Sequence, residues 1–131
     1  GHIPLFASSS GLVLAAYGDP SVVEDVILGG LRAYTDRTIV DPDELRREVR
    51  RVRADGYAVS AGHIHAESTG IAVPVTGPDG SVYAALGVVV PNDGASPQSL
   101  IDLLRRAAVG VSHDLAQAYL PHDPPAPPRV S

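Results

Sequence analysis

A short run of potential metal ligands lies near the middle of the chain, where His63, His65 and Glu67 alternate. Because alternate side chains of an extended segment share one face, these groups could supply three zinc ligands and leave a fourth position open for water. Such a site would indicate a small metal-dependent enzyme. The same alternation fits an exposed loop or edge strand whose polar groups face solvent. Since no second ligand motif accompanies it, we expect no bound metal and no other cofactor.

A second candidate is the run of small residues Ser8, Ser9, Ser10 and Gly11, which opens a predicted helix. Free backbone N–H groups and the positive end of the helix dipole both favour a negatively charged ligand at such a position. Ordinary helix capping explains the run equally well. A cap needs only one serine, however, so the other two favour the rim of a binding pocket.

A third candidate is a set of arginines on one predicted helix, which could bind phosphate: Arg46, Arg47, Arg50, Arg51 and Arg53. Acidic residues are interleaved with them at spacings that suit helical ion pairs. The chain carries ten basic and fifteen acidic residues, a net charge of -5, which repels a polyanion. We therefore interpret this helix as a solvated or subunit-contact face and expect no DNA binding by this segment alone.

The sequence lacks the residues that several kinds of chemistry require. The chain has no cysteine, which excludes disulfides, thiolate nucleophiles and cysteine-type zinc sites. The Gly-x-Ser-x-Gly hydrolase motif and phosphate-cradling loops are also absent, so we expect no catalysis. No apolar run approaches the roughly 18 residues of a membrane span, and the start lacks a signal-peptide pattern. We expect a cytoplasmic protein with no membrane partner.

The first half of the chain reads as three helices. The first is predicted from Gly11 and ends near Gly18, and the second covers 22–28 behind a capping box of Ser21 and Glu24. The third opens at Asp41 and Pro42 and ends at Gly56. Its apolar positions are Leu45, Val49 and Val52.

The second half changes to strands and a final helix. Strands are predicted over 57–60, 70–75 and 81–90, the last two joined in an antiparallel hairpin by the Pro- and Gly-containing turn at 76–80. A long helix follows Ser96 and Pro97. Its predicted buried stripe is Leu100, Leu104, Ala107, Val111 and Leu115. We expect one α+β domain over residues 1–120 and a Pro-rich disordered tail over 121–131, which could instead be a ligand for proline-recognition domains.

Five phrases of the chain, in order and spacing, resemble the effector-binding domain of the IclR family of bacterial regulators. They are Pro4–Ala15, Tyr34–Asp41, Val52–Val59, Gly70–Val75 and Ala84–Pro91. The resemblance covers most of the chain up to Leu120. It implies a GAF-like antiparallel sheet flanked by helices and self-association as a dimer or tetramer. It also implies DNA binding only through a winged helix-turn-helix that this sequence lacks, as it lacks the opening part of the usual effector domain.

The resemblance further implies an effector cavity between the sheet and the helix that begins in the serine run. By position, its residues are Ser8, Ser9, Ser10, Gly11, Ser60, Gly70, Gly87 and Val89. Because the glycines and the valine offer no side-chain hydrogen bonds, we expect a roomy, apolar pocket. The effector would have an aromatic or aliphatic body and a carboxylate near the serines. A generic GAF-like sensor module, the metal-dependent enzyme and a scaffold that only oligomerises are the alternative functions.

Overall fold

The structure, a computed structural model, describes residues 8–64, 66–92 and 96–118. The predicted tail at 121–131, and residues 4–7 of the first segment that resembles the IclR family, lie outside this part of the chain. In sequence order the elements are α1 Ser9–Tyr17, α2 Pro20–Leu28, α3 Pro42–Asp55, β1 Ala58–Ala61, β2 Ser68–Thr76, β3 Val82–Pro91 and α4 Gln98–Ala118. No helix in these ranges is long and apolar enough to cross a membrane.

The three strands form one antiparallel sheet with β2 in the centre and the order β1-β2-β3. In the register, Ser60 pairs with Gly70, and Gly70 pairs with Val89 on the other side. The predicted hairpin between β2 and β3 is confirmed: the amide of Gly77 donates to the carbonyl of Ser81, and Gly80 has a φ of 82°. Positive φ is accessible to glycine without a steric cost.

Helices cover both faces of the sheet, which gives the predicted α+β architecture. On one face α1 packs against the sheet and α3 packs against α1, around a core that includes Leu12, Val13, Leu45 and Val52. On the other face α4 packs mainly across β2, around Ile71, Val73 and Ile101. Successive residues of a strand point to opposite faces, so each strand contributes to both cores.

The third helix begins and ends where the sequence predicts. Asp41 is its N-cap and accepts a hydrogen bond from the Glu44 amide at 2.9 Å, and Pro42 occupies the first helical turn. Gly56 ends the helix with a left-handed φ of 80°. Each helix end is determined by residues within a few positions of it, so both ends can be predicted without knowledge of tertiary contacts.

The predicted capping box of α2 is wrong. The helix begins at Pro20, and Asp19 is the N-cap, because its carboxylate accepts a hydrogen bond from the Ser21 amide. Glu24 does not reach back to the cap. It forms an ion pair with Arg46 of α3 at 2.8 Å, and this contact lowers the pKa of the Glu24 carboxyl.

The predicted stripe of α4 is partly wrong. Ile101, Leu104 and Ala108 are the buried residues, whereas Ala107 and Val111 are exposed. The helix carries apolar residues over more than a third of its circumference, so the 3.6-residue period allows several rotations about the helix axis. Packing on β2 selects a rotation centred nearer Ile101 than the sequence predicts.

Candidate functional site

A cavity of about 370 Å³ lies between the N-terminal end of α1 and the face of the sheet on which α1 packs. It falls within the usual range of small-molecule sites, near the lower end. Its lining residues are Ser8, Ser9, Ser10, Ser60, Ile64, Ser68, Gly70, Gly87, Val88 and Val89. The position follows from the fold, because α1 begins over the segment where β1, β2 and β3 are paired.

The beginning of α1 presents backbone donors to this cavity. Ser8 is the N-cap, and its hydroxyl oxygen accepts a hydrogen bond from the Gly11 amide at 2.9 Å. The amides of Ser9 and Ser10 have no acceptor among the described residues. Unpaired N–H groups at a helix start carry a partial positive charge and favour an anion.

Ser60 adds a side-chain group from β1. The residue is only 5% exposed, and its hydroxyl has no hydrogen-bond partner within the described part of the chain. A buried polar group that lacks a protein partner is costly unless something else satisfies it. Because Ser60 also lines the cavity, its unpaired hydroxyl is a candidate hydrogen-bonding group for a ligand.

Two glycines of the sheet let α1 approach closely. A Cβ atom on Gly70 would lie 2.8 Å from Ser9 Oγ, and one on Gly87 would lie 2.8 Å from Ser10 Oγ and 3.0 Å from the Ile71 carbonyl oxygen. The sequence predicts that these glycines widen the pocket. In the structure they lie directly beneath the serines, so they also set the distance between α1 and the sheet.

Among the described residues, no charged side chain lines the cavity. Its polar groups are the serine hydroxyls and the amides of α1, while Ile64 and Val89 provide apolar walls. This combination suits a small molecule that has an anionic or strongly polar group at the helix end and an apolar body against the sheet.

The sequence-derived positions come together, with one exception. Ser8, Ser9, Ser10, Ser60, Gly70, Gly87 and Val89 all line the cavity. Gly11 is buried inside α1 and is not a lining residue. Sequence reasoning missed Ile64, Ser68 and Val88. Ser68 lies two residues before Gly70 on the same strand face, so strand alternation could have identified it.

Ile64 lies in the turn between β1 and β2, and no local pattern marked it. Two threonine hydroxyls of the 34–38 loop hold this turn: Thr35 Oγ1 donates to the Gly62 carbonyl, and Thr38 Oγ1 donates to the His63 carbonyl. Thr38 Oγ1 also accepts hydrogen bonds from the amides of Tyr34 and Thr35. The loop thereby positions one wall of the cavity.

The alternative metal site is only partly covered by the structure. His65 lies outside the described residues, and the residues that are described contain no group of three or more potential ligands. Glu67 is exposed in the turn before β2. His63 is half-buried; burial lowers its pKa, and the nearby carboxylates of Glu48 and Glu44 oppose that shift. Its Nδ1 atom is buried without a partner in the described part of the chain.

Three of the five arginines of α3 contact acidic neighbours or a backbone carbonyl, and Arg53 reaches the Ala16 carbonyl. Arg46 bonds to Glu24 and Asp43, and Arg51 lies within 3.6 Å of carboxylates of Glu48 and Asp55. This arrangement agrees with the predicted solvated face rather than with a free phosphate-binding patch.

Comparison with known proteins agrees with this architecture. Residues 1–113 match the family model described as bacterial transcriptional regulator IclR C-terminal. The chain is 37% identical over 89 residues to the Pca regulon regulatory protein of Pseudomonas putida, covering 67% of this chain and 31% of that protein. It is 33% identical over 112 residues to the p-hydroxybenzoate hydroxylase transcriptional activator of Acinetobacter baylyi, covering 82% and 41%.

A solved structure shows the same fold. An IclR homolog from Microbacterium hydrocarbonoxydans, complexed with 4-hydroxybenzoate, is 41% identical and superposes with a TM-score of 0.84 over 89% of this chain and 48% of that one. The chain thus spans less than half the length of each of these three relatives. The family match, the relatives and the shared fold together establish that the chain belongs to the family of IclR-type bacterial transcriptional regulators, as their C-terminal domain.

Proposed function

We propose that this chain is a small-molecule effector-binding domain of an IclR-type regulator and that the effector binds, without being converted, in the cavity beneath α1. The observation that carries the proposal is the cavity of about 370 Å³, which is lined by the start of α1 and by Ser60, whose hydroxyl has no partner among the described residues. The relatives are transcriptional regulators, which supports a sensing role over a catalytic one.

The effector class we propose is a small carboxylate with an apolar body. The carboxylate would accept hydrogen bonds from the amides of Ser9 and Ser10 and from the Ser60 hydroxyl, three groups of lining residues that have no partner among the described residues. The body would pack against Ile64 and Val89. The 4-hydroxybenzoate complex of the Microbacterium homolog supports an aromatic acid of this size.

The proposed output is a change in subunit arrangement. A ligand shifts such an equilibrium only if it binds the two arrangements with different affinity. We propose that the chain self-associates as a dimer or tetramer in the bacterial cytoplasm. The ligand-dependent arrangement would then control a DNA-binding domain outside this chain.

Calorimetric titration tests the proposal directly. The probe is 4-hydroxybenzoate, referred to below as the aromatic acid probe, and the matched control ligand is 4-hydroxybenzyl alcohol, which has the same ring without the carboxylate. Because hydrogen bonds to a charged group contribute about 1.5–3 kcal/mol, we expect the acid to bind about tenfold or more tightly than the alcohol. Equal affinities would contradict the anionic site, and no binding of either compound would count against an aromatic acid effector.

A further inference from the structure

A cleft of about 350 Å³ lies on the other face of the sheet, where α4 begins. All three strands and the start of α4 line it, with Ala61, Thr69, Val90 and Leu100 among the lining residues. Its volume is close to that of the cavity beneath α1 and falls within the usual range of small-molecule sites. The cleft is therefore large enough for a ligand of its own.

The cleft and the cavity beneath α1 lie on opposite faces of the same strand segments. The row of paired residues Ala61, Thr69 and Val90 lines the cleft. The adjacent row, which contains Ser60 and Gly70, lines the cavity beneath α1. Because successive residues of a strand point to opposite faces, the sheet separates the two sites. A ligand in the cleft would contact a different set of side chains from the proposed effector.

Thr69 is the most buried polar residue of the cleft. It is 8% exposed, whereas Asn92 and Ser96 of the same lining are exposed. None of the hydrogen bonds among the described residues involves the Thr69 hydroxyl, while Thr76 Oγ1 on the same strand lies 3.2 Å from Ser112 Oγ. A buried polar group without a protein partner is costly unless something else satisfies it. The Thr69 hydroxyl is therefore a candidate hydrogen-bonding group for a ligand in the cleft.

The rest of the lining is uncharged and mainly apolar. The described lining residues include no charged side chain, and Ile71 and Leu100 supply apolar walls. The start of α4 adds few polar groups, because Pro97 has no N–H and the Ser96 hydroxyl accepts a hydrogen bond from the Gln98 amide at 3.3 Å. A charged ligand would lose hydration here without gaining an opposite charge, which costs far more than burial of a neutral polar group.

We propose that the cleft is a second ligand site, which takes a small uncharged molecule with an apolar body and one hydroxyl group. The ligand hydroxyl would bond to Thr69 Oγ1, and the body would pack between Ile71 and Leu100. This class differs from the carboxylate proposed for the cavity beneath α1. The two sites would thus distinguish their ligands by charge.

Methyl NMR titration with phenol tests the proposal. The protein is used without effector, so the outcome does not depend on the proposed function. We expect phenol to shift the side-chain methyl signals of Thr69, Ile71 and Leu100. Benzoate, which carries a charge on the same ring, is the control ligand and should leave these three signals unchanged.

Two substitutions test the role of the cleft side chains. Thr69→Val keeps the shape of the side chain and removes the hydroxyl, so it should retain the circular dichroism and weaken phenol binding about two- to tenfold. The matched control is Thr76→Val, which makes the same change on the same strand outside the cleft and should leave phenol binding unchanged. Ala61→Leu adds bulk inside the cleft and should abolish the phenol shifts.

The proposal is overturned if phenol shifts no methyl signal in the cleft, or shifts only those of Ile64 and Val89, which line the cavity beneath α1. It is also overturned if both threonine variants bind phenol as wild type does or are weakened equally. Cleft shifts that persist in Ala61→Leu, or that benzoate produces as strongly as phenol, would contradict it as well.

Discussion

A substitution at Ser60 should affect ligand binding without affecting the stability of the fold. Because the Ser60 hydroxyl bonds to no described protein group, Ser60→Ala removes no hydrogen bond from the fold. The free energy of unfolding should change by less than about 1 kcal/mol, which corresponds to a shift in Tm of less than about 4 °C for a domain of this size. Binding of the aromatic acid probe should lose one hydrogen bond to a carboxylate, about 1.5–3 kcal/mol, so Kd rises about ten- to hundredfold.

Thr38 is the matched control, because its hydroxyl is also buried but forms hydrogen bonds within the protein. It is 6% exposed and makes three hydrogen bonds, to the amides of Tyr34 and Thr35 and to the His63 carbonyl. The isosteric change Thr38→Val should cost about 3 kcal/mol at roughly 1 kcal/mol per bond, and lower Tm by about 12 °C. Below that transition, its affinity for the probe should fall less than that of Ser60→Ala, because Thr38 holds the turn that carries Ile64 but does not itself line the cavity.

Circular dichroism during thermal unfolding measures the stability of each variant. Calorimetric titration at low temperature measures its affinity for the probe. The reasoning predicts opposite outcomes for the two variants: a binding loss at Ser60 and a stability loss at Thr38. It is refuted if Ser60→Ala binds the probe as tightly as wild type, or if it lowers Tm as much as Thr38→Val does.

Two further predictions concern the cavity floor and the response to pH. Gly87→Ala should weaken probe binding more than Gly70→Ala, because the new methyl group at Gly87 meets the Ile71 carbonyl at 3.0 Å as well as a serine side chain. Calorimetric titration of both variants with the probe measures the difference. The reverse order of affinities would contradict the packing described. Burial lowers the pKa of His63, so the unfolded chain takes up its proton first as pH falls below about 6.5, and stability decreases from there towards the lower folded pKa. Replacing His63 with Gln should remove this part of the loss in chemical denaturation as pH falls below about 6.5; an unchanged slope in the His63 variant would refute it.

The parts of the fold set by local chemistry could be read from the sequence. Asp41 with Pro42 and the turn at Gly80 determine their own backbone conformations, and both predictions are confirmed. The start of α2 could not be read in the same way. Ser21 and Glu24 match a capping box in the sequence, but Glu24 bonds to Arg46, a residue 22 positions away, and Asp19 is the N-cap.

Likewise, some residues of the candidate site could be predicted from local sequence and others could not. The serine run at the start of α1 is visible in the sequence because a helix start and its cap are local features. Ile64 is not visible, since a turn without a repeating pattern places it on the cavity wall through threonines about 25 residues earlier. The rotation of α4 was also missed, because an apolar arc this wide allows several buried faces.

The central claim is that an anionic effector group binds at the start of α1. Titration of labelled protein with the aromatic acid probe, followed by amide NMR shifts, tests it most directly. We predict that the amides of Ser9 and Ser10 shift most and saturate together with those around Ser60. Largest shifts around Val59 and Leu100, which line a cleft on the opposite face of the sheet, would contradict the account.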